Sequence, residues 1–446
     1  MVGQDILDYY RSWLDYRRWY LKVPGVQACV LDDGQQRLSA AFGLASAATG
    51  TPLTERHLFR IASHSKTFTA VTVLRLAEQG RLRLDDRAAE HLPELAGSGL
   101  ARVTVRELLG HGGGVIRDSE DGDFWQLFRP YPDAAELLRI ATEPSAAVFP
   151  RNERFKYSNI AYGLLGLVIE RVTGAGFAEA VAAEILQPLG LADTGPELSA
   201  ERTGDFAAGH TALSYAAERT VIDHVDTRAL AAATGFYATA AELATFYSAL
   251  LPDDDTLLGA DAQRQLRHRE WEVKNGESWY GLGVFLNKIG EDELFGHSGG
   301  YPGHITRTFA CPKRRTVASV LTNAIDGPAE PLAAGLFRLL DLAAAAEHRP
   351  APDGERFAGR FSFLWGVQDV ALLDGRLFLL NPTLVNPADD TVALEVIDQN
   401  TLKMVSGPGG GSVGEPMRYE FGPDGGIRSV RGGSGMTLRP FQQESD

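Results

Sequence analysis

The chain has 446 residues, with 43 Lys+Arg against 58 Asp+Glu and a net charge of −15. Its 44% hydrophobic and 23% charged residues are ordinary for a globular protein with room for two or three domains. The acidic balance and the lack of a basic stripe exclude a nucleic-acid binder, and no apolar run approaches the ~18 residues of a transmembrane helix, so no membrane partner is expected.

Residues 5–21 predict an amphipathic, aromatic-rich helix, and the charges at Asp5, Asp8, Arg11 and Asp15 break up any signal-peptide core, which predicts a cytoplasmic protein. Residues 25–31 and 37–43 flank Asp32, Asp33 and Gly34 as a β-hairpin. Residues 64–80 form a helix with Phe68, Val71, Leu74 and Leu76 apolar. Thr104 with Glu107, and Thr239 with Glu242, have the spacing of capping boxes. Residues 159–173 are apolar nearly all round and predict a buried helix. Residues 281–286, 305–310 and 316–321 predict strands, and Ala-rich 329–346 a closing helix. Together these give an α/β domain whose sheet is assembled from distant segments.

After Pro350 the composition changes. Residues 351–446 hold 15 glycines, five alanines and no His or Cys, and short alternating runs are cut by Gly, Asp, Asn and Pro turns. That pattern predicts a small all-β barrel or sandwich. The expected domains are 1–347 and 357–446, joined by a linker at 348–356, with Gly-rich 407–416 the most flexible loop. Cys29 and Cys311 read as small buried side chains; no metal-ligand spacing is present, so neither a metal nor a cofactor is expected.

Three segments carry chemistry. Ser63-His64-Ser65-Lys66 opens the 64–80 helix, and residues three apart share a helix face, so the Ser63 hydroxyl and the Lys66 amine come together. A serine needs a base to become a nucleophile, and a lysine serves once its pKa is lowered. Tyr157-Ser158-Asn159 places a phenol and a carboxamide on one side of an extended segment, as proton relay and lysine partner. His297-Ser298-Gly299-Gly300 offers an imidazole and a strand edge on which a substrate backbone can lie; the Gly300 and Ser63 N–H groups would make an oxyanion hole. Any one of these alone is more economically read as a helix cap, a surface Tyr or an ordinary loop His.

Their order and spacing change the odds. With the flanking text FRIASHSKTFTA, LLGHGGGV, ERFKYSNIAYGLLG and GHSGGYPGH, the chain resembles the serine β-lactamase and penicillin-binding-protein superfamily over roughly residues 20–340, in its class C-like branch with SxxK, YxN and HxG motifs. The resemblance implies a β-lactamase/DD-peptidase-like α/β fold: an antiparallel sheet flanked by helices, with an all-helical region, and after it a lipocalin-like barrel. It implies Ser63 as nucleophile, Lys66 as base, Tyr157 as relay, Asn159 and His297 as the polar rim, and Gly235 in a segment lining the site. His297 stands where β-lactamases carry a lysine; an imidazole largely neutral at pH 7 argues against strong β-lactamase activity. Among superfamily members the chain is most similar to stand-alone penicillin-binding-protein-type thioesterases, which release and cyclise nonribosomal peptides. The expected substrate is then a peptidyl thioester ending in a D residue, free or on a peptidyl carrier protein. The alternative is a cytoplasmic D-amino-acid-specific aminopeptidase, amidase or esterase; a DD-carboxypeptidase or a catalytically dead binding protein ranks lower. Phe124 and Trp125 are candidates for the pocket rim, and Arg439 for a substrate contact from the barrel. His64, His111 and His304 read as structural.

Overall fold

Strand β1 (Gly25–Asp32) is buried along its whole length and has a paired strand on each edge, not only its hairpin partner. The computed structural model describes residues 1–198, 200–407 and 412–443. It divides into two compact units, one of Pro24–Glu330 and one of Met1–Val23 with Pro331–Asp446, so the first helix, α1 (Gln4–Tyr20), belongs with the carboxyl-terminal part of the chain.

The larger unit is built on an antiparallel sheet of nine strands among the described residues. In chain order these are β1, β2 (Gln35–Ser46), β3 (Thr51–Pro52), β4 (Trp271–Lys274), β5 (Ser278–Tyr280), β6 (Phe285–Ile289), β7 (Asp292–Tyr301), β8 (His304–Cys311) and β9 (Thr316–Thr322). Their spatial order is β3-β2-β1-β9-β8-β7-β6-β5-β4, so chain-distant β1 and β9 lie side by side, with Cys29 opposite Ser319. The first hairpin turns at Asp33 and Gly34, whose φ values of 49° and 74° are the left-handed pair that a tight turn needs.

The helices α2 (Ser65–Glu78), α3 (Asn159–Thr173) and α4 (Ala240–Ser248) pack with the sheet and each other into one apolar core. Helix α2 is central: every residue from Ser65 to Leu74 is buried, and its threonines are satisfied by main-chain carbonyls, Thr67 by Gly283 at 2.7 Å and Thr69 by Ala232 at 2.7 Å. The expected span of α3 is observed. Ser158 caps it by accepting from the Ala161 N–H at 2.9 Å, and Gly174 at φ 72° ends it.

Two local expectations are corrected. Residues 281–284 are not strand; the strand starts at Phe285. Gly283 takes φ 81° and lies against α2, where a Cβ would stand 2.5 Å from the Ala70 Cβ, so the chain must bend there. The Thr104–Glu107 capping box closes in both directions, but at Thr239 only half forms. The Glu242 carboxylate accepts instead from the Asp193 N–H and the Thr194 hydroxyl.

In the second unit the alternating runs become a closed eight-stranded barrel: β10 (Gly359–Phe363), β11 (Gly366–Leu373), β12 (Arg376–Leu380), β13 (Val392–Asp398), β14 (Thr401–Ser406), β15 (Pro416–Phe421), β16 (Ile427–Arg431) and β17 (Thr437–Pro440). Closure removes the exposed edges that a seven- or eight-strand open sheet would leave. Its core holds Phe357, Phe361, Leu377, Leu394, Met417 and Val430. Helix α1 docks here. The Tyr10 hydroxyl donates to the Leu332 carbonyl at 2.9 Å, and Arg360, bidentate to Asp369 at 2.8 Å, lies 4.2 Å from the Tyr16 ring centroid. Of the 407–416 loop, residues 408–411 lie outside the described residues. Arg439 is exposed on β17, opposite Ser362.

Candidate active site

The turn before α2 is tight. Ala62 adopts φ 50°, a left-handed conformation that costs a non-glycine residue ~1 kcal/mol or more. The turn is pinned from both sides. The Ile61 N–H donates to the Phe236 carbonyl at 2.9 Å, and the Ser65 hydroxyl donates to the Ala62 carbonyl at 2.5 Å while accepting from the Phe236 N–H at 3.0 Å. This presents Ser63, partly exposed, at the positive end of α2, with the following three residues buried.

Lys66 is wholly buried and its amine has three partners: the Ser63 hydroxyl at 3.1 Å, the Asn159 Oδ1 at 2.7 Å and the Ala233 carbonyl at 2.8 Å. Two of these can only accept. A neutral amine has two N–H groups and one lone pair, so it can donate to Asn159 and Ala233 and leave the lone pair for the Ser63 O–H. Burial holds the Lys66 pKa well below the usual lysine range; the nearby Arg117 charge adds to this, and Asp118 opposes it. The amine is therefore placed, by geometry and by charge, to take the serine's proton.

Tyr157 completes the group. Its hydroxyl hydrogen-bonds Ser63, which lowers its pKa, but burial raises that pKa more, so it stays a phenol. The Lys66 amine stands 4.7 Å from the Tyr157 ring centroid and the Arg117 guanidinium 5.4 Å from it. His111 lies tilted against the same ring at 4.4 Å between centroids and accepts the Ser158 N–H at 3.2 Å, so it shapes the Tyr157 segment.

His297 lies on β7, buried among Phe285, Tyr280, Tyr157 and His64. Burial, with the Lys66 and Arg307 charges, holds it well below the usual histidine pKa. Its Nδ1–H donates to the Ser298 carbonyl at 2.6 Å, leaving Nε2 as an acceptor 3.3 Å from the Tyr280 hydroxyl. Past Gly296, β7 pairs only with β8 among the named strands, because its ladder to β6 ends there. Gly299 is pressed on the serine's turn: a Cβ would lie 2.2 Å from the Ile61 carbonyl oxygen. Gly300 is exposed, and a Cβ there would meet only Ile305. Gly235 is buried, its Cβ position 2.4 Å from the Thr227 hydroxyl, so it packs behind the site rather than facing it.

The fold thus brings Ser63, Lys66, Tyr157 and Asn159 into one hydrogen-bonded group, with His297 and the 299–300 edge beside it. Two members are not foreseen from the sequence. Asp118 accepts from the Asn159 Nδ2 at 2.7 Å and from the Trp125 indole at 2.8 Å, and Ala233 contributes a carbonyl. The acidic loop that holds Trp125 was the available signal for Asp118; a backbone acceptor leaves none. Phe124 does not rim the pocket: it is fully buried in the core. His64 packs inside, its Nδ1 3.0 Å from the Tyr247 hydroxyl.

The chain is similar to several known proteins. Penicillin-binding protein 4* of Bacillus subtilis is 28% identical over 297 residues, 64% of this chain and 64% of that protein, so the chain spans just under two thirds of that relative. The solved structure of SurE matches with a TM-score of 0.63 and 26% identity, covering 98% of this chain and 99% of that one. A D-stereospecific amidohydrolase from Streptomyces sp. matches with a TM-score of 0.61 and 25% identity, covering 70% of this chain and 94% of that one. The family model for beta-lactamase matches residues 16–343, nearly three quarters of the chain and every residue of the serine–lysine–tyrosine group, and the chain belongs to the beta-lactamase family.

Proposed function

We propose that this protein is an active-site-serine acyltransferase that works through an acyl-enzyme on Ser63. The observation that carries this reading is the buried Lys66 amine, whose two fixed acceptors leave its lone pair for the Ser63 hydroxyl. Neutral Lys66 takes the proton as Oγ bonds to the acyl carbon. The oxyanion forms between the Ser63 and Gly300 N–H groups. The leaving group departs with a proton passed through Tyr157, and the acyl group stays esterified to Ser63.

The acyl donor proposed is a peptidyl thioester whose last residue has D configuration, met in the cytoplasm, free or on a peptidyl carrier protein. The peptide's own amine then attacks the ester carbon, its proton passes to Tyr157 and Lys66, Ser63 recovers its proton as the C–O bond breaks, and a macrolactam leaves. Two facts about similar proteins support a D-configured donor: SurE has also been solved with D-Leu, and the Streptomyces enzyme is D-stereospecific. The aromatic wall around His297 supports a dry site, which cyclisation needs because the amine competes with water. The second reading is a D-amino-acid amidase or esterase, in which water accepts the acyl group; the likeness to the amidohydrolase favours it. A neutral His297, in place of an ammonium, disfavours a β-lactamase.

The test offers the enzyme a linear peptidyl N-acetylcysteamine thioester ending in a D residue, and its L epimer. Cyclic product from the D form alone is expected. Linear acid together with turnover of D-alanine amide would replace the cyclase with the amidase, and undiminished turnover by Ser63→Ala would end both readings.

A further inference from the structure

Arg60, three residues before Ser63, is 0% exposed, and its Nε, Nη1 and Nη2 have no hydrogen-bond partner among the described residues. A guanidinium stays charged in a protein, so this is a buried cation without an acceptor, an arrangement that native folds avoid. The Tyr301 ring lies 4.6 Å from it but offers a π-face rather than a lone pair, and the Tyr301 hydroxyl is committed to the Val225 main chain at 3.0 Å. Asp226 is in electrostatic range, yet it is exposed and accepts from the Arg228 N–H at 2.8 Å.

The surroundings repeat the pattern. The Tyr131 hydroxyl and both ring nitrogens of buried His304 also lack partners among the described residues, and both side chains are within electrostatic range of Arg60. His224, stacked on His304 at 5.3 Å, donates from Nε2 to the Ala207 carbonyl. That leaves three acceptors in the cluster, its Nδ1, one His304 nitrogen and the Tyr131 oxygen. Against these stand the five N–H groups of Arg60, the Tyr131 O–H and one His304 N–H. Such an excess of donors around a fixed positive charge selects an anion over water, which must accept and donate in balance.

We propose that Arg60, Tyr131 and His304 form a buried binding site for a small monovalent anion of halide size, behind the turn that presents Ser63. The anion would brace that turn. Arg60 pairs with Tyr237 in a two-residue ladder, and the next residue, Ile61, contacts Phe236 through its N–H and Gly299 through its carbonyl. Anion binding at this place does not depend on which acyl donor the enzyme uses.

The test uses bromide as the probe on the full chain. Crystals in sodium bromide, measured at the bromine edge, are expected to give an anomalous peak in hydrogen-bond range of the Arg60 guanidinium. Thermal unfolding at constant ionic strength is expected to show a Tm about 3 °C or more higher in bromide than in gluconate, which is too large to enter. Arg60→Met should have the same Tm in both salts. The wild-type crystal decides the matter even where that variant fails to fold. No anomalous peak at Arg60, with equal wild-type Tm in the two salts, would overturn the proposal and leave buried water as the partner.

Discussion

Asp118 decides which end of Asn159 faces Lys66. Its Oδ1 accepts from the Asn159 Nδ2 at 2.7 Å, so the amide nitrogen is committed and the carbonyl oxygen turns to the lysine amine, also at 2.7 Å. A carboxylate can only accept, which makes this orientation the one arrangement that satisfies all three groups. The amide in turn spends one Lys66 N–H and, with the Ala233 carbonyl, fixes where the lone pair points. A residue outside all three motifs thus sets the aim of the base.

Asn159→Asp tests that chain of reasoning. It would put a carboxylate within hydrogen-bond range of the amine, next to a second one at Asp118, and so hold Lys66 as an ammonium. The expected result is a fall in kcat/KM of about 100-fold or more at pH 7, with activity recovering toward high pH. Asn159→Ala should lose activity without that recovery. Equal pH profiles for the two variants would show that Asn159 does not act through the lysine's charge.

The pH dependence of the native enzyme follows from the same group. Lys66 must be neutral to take the serine proton, so kcat/KM should rise with pH through the lysine's lowered pKa and level off above it. Arg117 pushes that pKa down and Asp118 pushes it up. Arg117→Gln should therefore move the rising limb to higher pH, and Asp118→Asn to lower pH. Stopped-flow acylation by a chromogenic ester from pH 5 to 9 measures both shifts; a limb that moves the same way in both variants would remove Lys66 as its source.

Ser63 and Lys66 were legible because their relation is local: three positions on one helix. Helix α3 was legible to the residue because Ser158 and Gly174 bracket an apolar run. The site's second ring was not. Asp118 sits in a loop with no period, and Ala233 acts through a backbone atom that every residue type carries. Nor was the placement of α1 legible, since the bond from Tyr10 to the Leu332 carbonyl spans 322 positions and no window along the chain contains both ends. His297 reads from the sequence as an imidazole in place of an ammonium, but only the fold supplies the burial that lowers its pKa.

Docking of α1 makes a stability prediction. Trp13 is fully buried, 6.3 Å from Tyr10 between centroids, and lies over Gly335, where a Cβ would stand 2.5 Å from the indole. Trp13→Ala should cost about 3–5 kcal/mol through lost burial and the cavity left behind. Gly335→Ala should cost about 1–3 kcal/mol by the opposite route, overpacking. Urea unfolding followed by far-ultraviolet circular dichroism reads both, and a Gly335→Ala midpoint equal to that of the native chain would mean that α1 is not seated there.

Buried histidines set the acid limit of the fold. His64, His111, His297 and His304 are each held well below the usual histidine pKa, in every case chiefly by burial. At pH values under about 6.5 the unfolded chain takes up protons on these rings that the folded chain refuses, so the stability they contribute is full above that pH and falls below it. Each such group contributes a slope of at most about 1.4 kcal/mol per pH unit, and four together approach about 5.6 kcal/mol per unit well below their unfolded pKa. The window between pH 6.5 and 5 isolates histidines from ordinary carboxylates, which titrate lower, and the less strongly shifted His210, His224 and His348 add to the same fall. Urea midpoints should therefore fall gently from pH 8 to 7, where only the neutral Lys66 amine adds a slope, and drop several times more steeply from pH 6.5 to 5. His111→Gln, which removes one titrating ring from beside Tyr157, should flatten that drop by about one proton's slope even though the variant starts less stable. A native chain whose urea midpoint stays constant down to pH 5 would mean that these rings are hydrated in solution, and with them the wall that is meant to keep water from the acyl-enzyme.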